Sequence, residues 1–202
     1  MTEMKPVCAE RRASLDEILA TNELESRQAE PRVGDESAAL LALARSIAGE
    51  PRWALQRLAE SVLALTSADA SGVSVVEVDD GMPVFRWRAA GGAFKDWVGQ
   101  TMPRSASPCG DVLRTSTMLL MREPARHYAS VAAFADVQMH ELLLVPFKQE
   151  GAVVGTVWAA MLTSDKQFNG EDARLMESVS TMAAANDLLE RITFGNPSYS
   201  QD

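Results

Sequence analysis

The sequence predicts an α+β domain: an antiparallel sheet with its helices gathered on one side. Three observations lead there. Residues 141–161 read ELLLVPFKQEGAVVGTVWAAM, two apolar segments either side of a short Gly-containing turn, which is how a β-hairpin reads. A second strand pair flanks Asp79-Asp80-Gly81. Amphipathic helices stand before the first strand and after the last, so strands outnumber the helices that could serve as crossovers.

Residues 1–36 are polar and charge-dense, with a thin apolar stripe at Leu15, Ile18, Leu19 and Leu24. They read as a tail, partly helical or disordered, broken at Pro31-Arg32-Val33-Gly34. The folded domain is expected over residues 37–193, with a second polar tail at 194–202. Its first helix places Leu40, Leu43 and Ile47 on one face and ends at Gly49. Pro51 suits the first turn of the next helix, whose stripe is Leu55, Leu58, Val62 and Leu65. Residues 73–78 form a strand. Residues 84–89 alternate, with Phe85, Trp87 and Ala89 on one face and Arg86 and Arg88 on a basic outer face. A helical turn at 93–98 carries Phe94 and Trp97. A loop at 102–107 leads into a short helix at 108–114, a short strand at 118–121, a loop at 124–128 and a short helix at 131–137.

In the long hairpin, Leu142 to Val145 are apolar without alternation, so both faces of that strand are covered. Pro146 suggests a bulge or an unpaired donor side, and Gly155 a close approach. The closing helix starts at about residue 170. Asn169 is its N-cap, and Glu171 and Asp172 sit where the helix dipole favours acids. Leu175, Val179, Met182, Asn186 and Leu189 keep a heptad phase, and Gly195-Asn196-Pro197 ends the helix.

The chain has 202 residues, a formal net charge of −9, 47% hydrophobic and 23% charged residues. These values suit a soluble globular domain able to bury a core without metals or disulfides. The acidic balance weighs against nucleic acid or an anionic membrane as partner. No run approaches the ~18 apolar residues of a membrane span, and no apolar segment follows Lys5 as in a signal peptide. Two cysteines, Cys8 and Cys109, make no disulfide framework, so a cytoplasmic location is expected.

Several stretches in order resemble a GAF domain, the small-molecule sensing fold of bacterial signalling proteins. Thr66-Ser67-Ala68-Asp69-Ala70 leads into the first strand at Gly72-Val73-Ser74-Val75-Val76, and Phe85-x-Trp87 lies on the second. Pro103-Arg104-Ser105-Ala106-Ser107-Pro108-Cys109-Gly110 precedes a short helix. Glu141 to Phe147 leads through a turn to Val154-Gly155-Thr156-Val157-Trp158. Phe168 stands before Glu171-Asp172-Ala173-Arg174-Leu175. The resemblance covers about residues 51–190, and the Pro-Arg…Ser-Pro-Cys-Gly version resembles GAF domains that stand ahead of histidine-kinase cores. It implies a six-stranded antiparallel sheet, with the N- and C-terminal helices on one face. On the other lies a pocket roofed by residues 90–140. No output domain follows residue 192, so a signal would pass to another chain, a histidine kinase or other signalling protein. The family's habit of pairing through its terminal helices, with the heptad phase, implies a homodimer with Asn186 near its axis.

Candidate ligand-binding residues gather in the expected roof and on the strands beneath it. Ser107 can cap the helix that Pro108 opens, leaving the N–H groups of Cys109 and Gly110 as an anion site with Arg104 close in sequence. The plain alternative is a structural cap. His127 and Tyr128 could touch an anionic ligand, or be ordinary loop residues. Trp87 and Trp158 could wall a ring ligand, or be core. His127 and His140 have no acidic partner at ligand spacing, so no metal site is expected.

Cys109 could be a buried small hydrophobe, a chromophore anchor or a redox nucleophile. Gly110 stands where bilin-binding relatives place His, and Cys8 is a distant candidate for a resolving thiol. Lys166-x-Phe168-x-x-x-Asp172 lacks the Asn that the cyclic-nucleotide-binding version of the family places before its Lys. Asp165 stands there. The reading is a non-catalytic sensory protein, binding a small molecule of unknown identity, with an anion among the candidates and no assigned cofactor. The alternatives are a redox or chromophore protein using Cys109, or a dimerisation module with no ligand.

Overall fold

The computed structural model describes residues 12–28, 36–134 and 137–194. Six strands form one antiparallel sheet: β1 (Ala70–Asp79), β2 (Met82–Gly92), β3 (Thr101–Pro103), β4 (Leu119–Arg122), β5 (Glu141–Gln149) and β6 (Ala152–Met161). Their spatial order is β3-β2-β1-β6-β5-β4. The two hairpins close as the sequence predicts. Each turn uses two residues of positive φ, Asp80 and Gly81 in one and Glu150 and Gly151 in the other, whose twist matches that of the flanking strands. The edge strand β3 falls in the stretch expected to be loop. Three residues carry too little periodicity to be read as a strand.

Two helices cover one face: α3 (Ala54–Thr66) lies over β1 and β2, and α6 (Gly170–Phe194) over β5 and β6. A further helix, α2 (Glu36–Gly49), packs on α3. The start of α6 is set by a reciprocal cap. Asn169 Oδ1 accepts from the N–H groups of Glu171 and Asp172 at 2.9 and 3.2 Å, and Asp172 Oδ2 accepts from Asn169 N–H at 3.0 Å. Leu58, Val62, Val73, Leu143, Val157, Met176 and Val179 belong to one aliphatic core between these helices and the sheet.

The heptad stripes therefore serve this core. Leu55, Leu58, Val62, Leu175 and Val179 are buried within the chain, and Asn186 is only 2% exposed. Asn186 is covered by its own chain, not presented at a dimer axis. The side chain of Leu189 and residues 195–202 lie outside the described residues.

The second strand departs from simple alternation. Ser74 pairs with Trp87 and Val73 with Ala89, so Arg88 is an extra residue. This bulge flips the pattern: Phe85 and Trp87 face away from the helices, while Ala89 joins the helix-side core. The outer face is not simply basic either. Glu77 accepts from Arg86 and Arg88 at 2.8 and 2.9 Å, and Asp79 pairs with Arg86 at 3.0 Å. Pro146 lies past the end of the β4 pairing, which stops at Leu144, so its missing donor costs nothing there. At Gly155 an added Cβ would stand 2.1 Å from the Phe147 ring, the close approach expected from the sequence.

The N-terminal arm is the largest difference from expectation. Residues 12–28 are packed, through α1 (Leu15–Ile18) and a 3-10 turn at Thr21–Ser26. The arm pairs with the sheet edge: Leu19 bridges Met121, Ala20 N–H donates to Leu120 O at 2.9 Å, and Thr21 Oγ1 accepts from Leu120 N–H at 2.9 Å. It passes from one side of the sheet to the other, with Ile18 in the pocket-side cluster and Ala20 and Leu24 in the helix-side core. Arg27 then reaches Glu141 at 2.9 Å and Phe168 O at 2.7 Å. Burial opposes the Arg27 charge, but Glu141 and Glu23 outweigh it and raise its pKa. An edge strand that would otherwise be open is covered. The sequence conceals this because a four-residue stripe among charges resembles a tail.

Candidate functional site

The other face of the sheet carries Phe85, Trp87, Leu142, Leu144 and Trp158. It is roofed by short pieces: a 3-10 turn at Lys95–Trp97, α4 (Pro108–Thr115), a 3-10 turn at Pro124–Arg126 and α5 (Ala129–Ala132). The α5 helix is shorter than expected and begins two residues earlier. Phe134 follows it and stacks on Trp87, centroids 5.6 Å apart and planes at 27°. Trp158 lies 4.7 Å from Trp87, and Trp97 4.7 Å from Phe134. Between sheet and roof remains a void of about 20 Å³, with Trp87, Cys109, Phe134 and Trp158 among its walls. That is room for one water molecule.

Ser107 caps α4 as predicted: its Oγ accepts from Gly110 N–H at 3.2 Å and donates to Pro103 O at 2.5 Å. The carbonyl oxygen of Arg104 folds over Gly110 so closely that an added Cβ would sit 2.0 Å from it. Glycine is required there by a backbone contact. The Gly110 N–H is occupied by the chain's own cap, and the Arg104 side chain is exposed to solvent. The expected anion site is therefore not assembled: two of its parts are turned to structural use.

Cys109 is buried at 3% exposure and accepts from Thr156 Oγ1 at 3.3 Å. Burial pushes its thiol up to about 11, against smaller opposing hydrogen bonds from Thr156 and Ser74. It is held as a protonated thiol, the opposite of an activated nucleophile. Cys8 lies outside the described residues. Tyr128 is buried, and its hydroxyl donates to Asp111 Oδ2 at 2.5 Å, pinning α5 to α4. Burial, then this carboxylate, raises the phenol pKa. His127 points elsewhere: its Nδ1 meets Ala13 O at 2.7 Å, tying the N-terminal arm to the roof. Lys166 pairs with Asp69 at 2.5 Å. Among the described residues no cluster of metal-ligating side chains is present.

The two tryptophans differ in one respect that sequence could not reveal. Trp158 Nε1–H donates to Ser74 Oγ at 2.9 Å. Trp87 Nε1–H is buried with no acceptor among the described residues. Thus Trp87, Trp158 and Cys109 come together at the void, Ser107, Gly110 and Tyr128 hold the roof above it, and Arg104 and His127 stand outside. Phe134 and Phe94 were missed as site residues. Their only signal was aromatic character in the expected roof.

A family model described as the GAF domain matches residues 51–186. No curated protein matches the chain. Among solved structures, the GAF domain of a phosphoenolpyruvate-protein phosphotransferase from Coxiella burnetii superposes with a TM-score of 0.68 at 18% identity, covering 78% of this chain and 95% of that one. The corresponding Acinetobacter domain gives 0.66 at 14% identity, covering 83% and 100%. Free methionine-R-sulfoxide reductase from Neisseria meningitidis, in complex with its substrate, gives 0.62 at 16% identity, covering 82% and 98%. At these identities the likeness is one of fold. No described helix is long and apolar enough to cross a membrane. With two thirds of its length matched by the family model and the six-stranded sheet in place, the chain belongs to the GAF domain family.

Proposed function

We propose that this GAF domain is a non-catalytic sensory module that binds a small molecule between its sheet and roof, and passes the change to a partner protein. The observation that carries the reading is the contrast in cover. Long helices seal one face, while short helices and turns close a tryptophan-walled void on the other. Such a roof can move at lower cost than a packed helix. A route outward exists on the same strands. Thr156 of β6 contacts Cys109 of α4, and on the far side Ser180 of α6 donates to Pro146 O of β5 at 3.0 Å. A shift of α4 would thus reach α6 through the β5–β6 hairpin, and a histidine kinase or similar signalling protein would read α6.

The protonated, buried Cys109 favours this reading over redox or chromophore chemistry. A homodimer would need a surface other than Asn186. Leu41 of α2 and Trp53, each 52% exposed, are apolar residues that could contribute to one. Native mass spectrometry and an absorption spectrum of protein purified from its own host test the reading. A mass above the 21.9 kDa chain that is lost on denaturation is expected. A visible band, or an adduct that survives denaturation and disappears in Cys109→Ser, would replace it with the chromophore reading. Thiol-dependent sulfoxide turnover lost in that variant would replace it with the redox one.

A further inference from the structure

The void between sheet and roof is walled by apolar and aromatic groups, and no charged side chain lines it. The polar side-chain atoms of the residues that wall it are engaged, with one exception. Cys109 Sγ accepts from Thr156, and Trp158 Nε1–H donates to Ser74. Trp87 Nε1–H alone is buried without an acceptor among the described residues, in a side chain only 4% exposed. An unsatisfied buried donor costs roughly 1–3 kcal/mol, so a site that keeps one gains when an acceptor arrives. The second observation is Phe134. It is half-buried at the end of a four-residue helix, yet its ring lies nearly parallel to Trp87. An aromatic ring thus already occupies the face of Trp87, carried just past a helix of only four residues.

We propose that this site takes an uncharged planar ring compound bearing one hydrogen-bond acceptor. The ligand's ring replaces Phe134 against Trp87, and its acceptor receives the Trp87 Nε1–H. The proposal rests on the small-molecule reading above and narrows it to a ligand class. Charge is excluded by desolvation: an ion placed here would be buried without a partner, since the Arg104 side chain is in solvent. Planarity follows from the ring it replaces and from Trp158 on the adjoining wall. Displacing Phe134 moves α5, which Tyr128 ties to α4, so occupancy is read directly by the roof.

Three bicyclic probes separate the terms: quinoline, with a ring acceptor; naphthalene, its isostere with none; and 2-naphthoate, an anion. Each is titrated into wild type, Phe134→Ala and Trp87→Phe by calorimetry, with the Trp87 indole N–H also followed by NMR in the two proteins that keep it. In wild type, quinoline should bind roughly fivefold or more tighter than naphthalene and shift the Trp87 N–H signal, with 2-naphthoate weakest. Phe134→Ala should tighten quinoline, because no ring need be displaced. In Trp87→Phe the advantage of quinoline over naphthalene should vanish. Equal affinities of quinoline and naphthalene in wild type, or a preference for 2-naphthoate, overturn the ligand class and leave small-molecule binding intact. If folded Phe134→Ala binds none of the three, the small-molecule reading falls as well.

Discussion

Leu143 and Leu144 are neighbours in β5, equally buried, and face opposite ways into unlike company. Leu143 enters the aliphatic core under α3 and α6, with Leu58, Val157 and Met176. Leu144 enters the cluster of Trp87, Phe94, Cys109 and Trp158 and lines the void there. On the helix side Ser71 Oγ donates to Ala59 O at 2.6 Å, and Thr66 Oγ1 to Val62 O at 2.7 Å. On the pocket side a donor is left over and a half-buried ring fills the gap. One face is sealed by long helices; the other is closed by short helices and turns around a void. On the reading proposed above, stability and recognition fall to opposite sides of one sheet.

The largest effect should come from the residue that ties the arm to the start of β5 and to the segment before α6. Arg27→Met leaves Glu141 buried without its main partner, so unfolding free energy in urea should fall by about 3 kcal/mol or more. Arg27→Met with Glu141→Leu should recover most of that loss, because no charge is then left buried. Next, Leu143→Ala empties a site on the helix side and should cost about 2–5 kcal/mol by the same measurement. Phe134→Ala, on the pocket side, should cost only about 1 kcal/mol. Equal losses for these two would remove the distinction between the faces.

Proton linkage gives a subtler contrast. Cys109 is raised from 9.0 to about 11 by burial. A group whose folded pKa is raised contributes stability below its unfolded pKa and loses that contribution as pH rises through the folded value. Denaturant titrations should therefore show stability declining from about pH 9 to about pH 11, and Cys109→Ala should flatten that slope. In folded protein at pH 8, peptide mapping after iodoacetamide should find Cys109 unmodified. The smallest effect belongs to Arg104→Ala. Its side chain is exposed, so stability should change by less than ~0.5 kcal/mol, with binding of uncharged probes unaltered.

What the sequence revealed and concealed follows from the range of the interactions. Local signals were reliable: the Asn169 cap, the Ser107 cap with Pro108, both two-residue turns and the close approach at Gly155 are all set within a few residues or by one neighbour. The face assignment of Ala89 failed, because the Arg88 bulge is defined by pairing with β1 and leaves no mark in the alternation. The heptad phase of α6 was real but does not say which surface it meets, and Asn186 proved internal. The arm was misread because its partners, Leu120, Met121 and Glu141, are about a hundred residues away. Within the site, residue types pointed to Trp87, Trp158 and Cys109. That one indole donor is satisfied and the other is not depends on Ser74, which stands opposite Trp87 and Thr156 yet accepts from Trp158 two residues along β6. Arg104 is adjacent to the roof in sequence and outside it in space.

The contrast between the faces can be tested in one experiment. The chain has four tryptophans, each with one indole N–H signal. Trp53 sits exposed on the helix side, and Trp87 is buried at the void. Small-molecule extract from the protein's own host is added to the labelled protein, and the four signals are followed by NMR. The account predicts that the Trp87 signal moves, as its donor gains an acceptor, while the Trp53 signal stays in place. Movement of Trp53 with Trp87 unchanged would place recognition on the opposite face and contradict it.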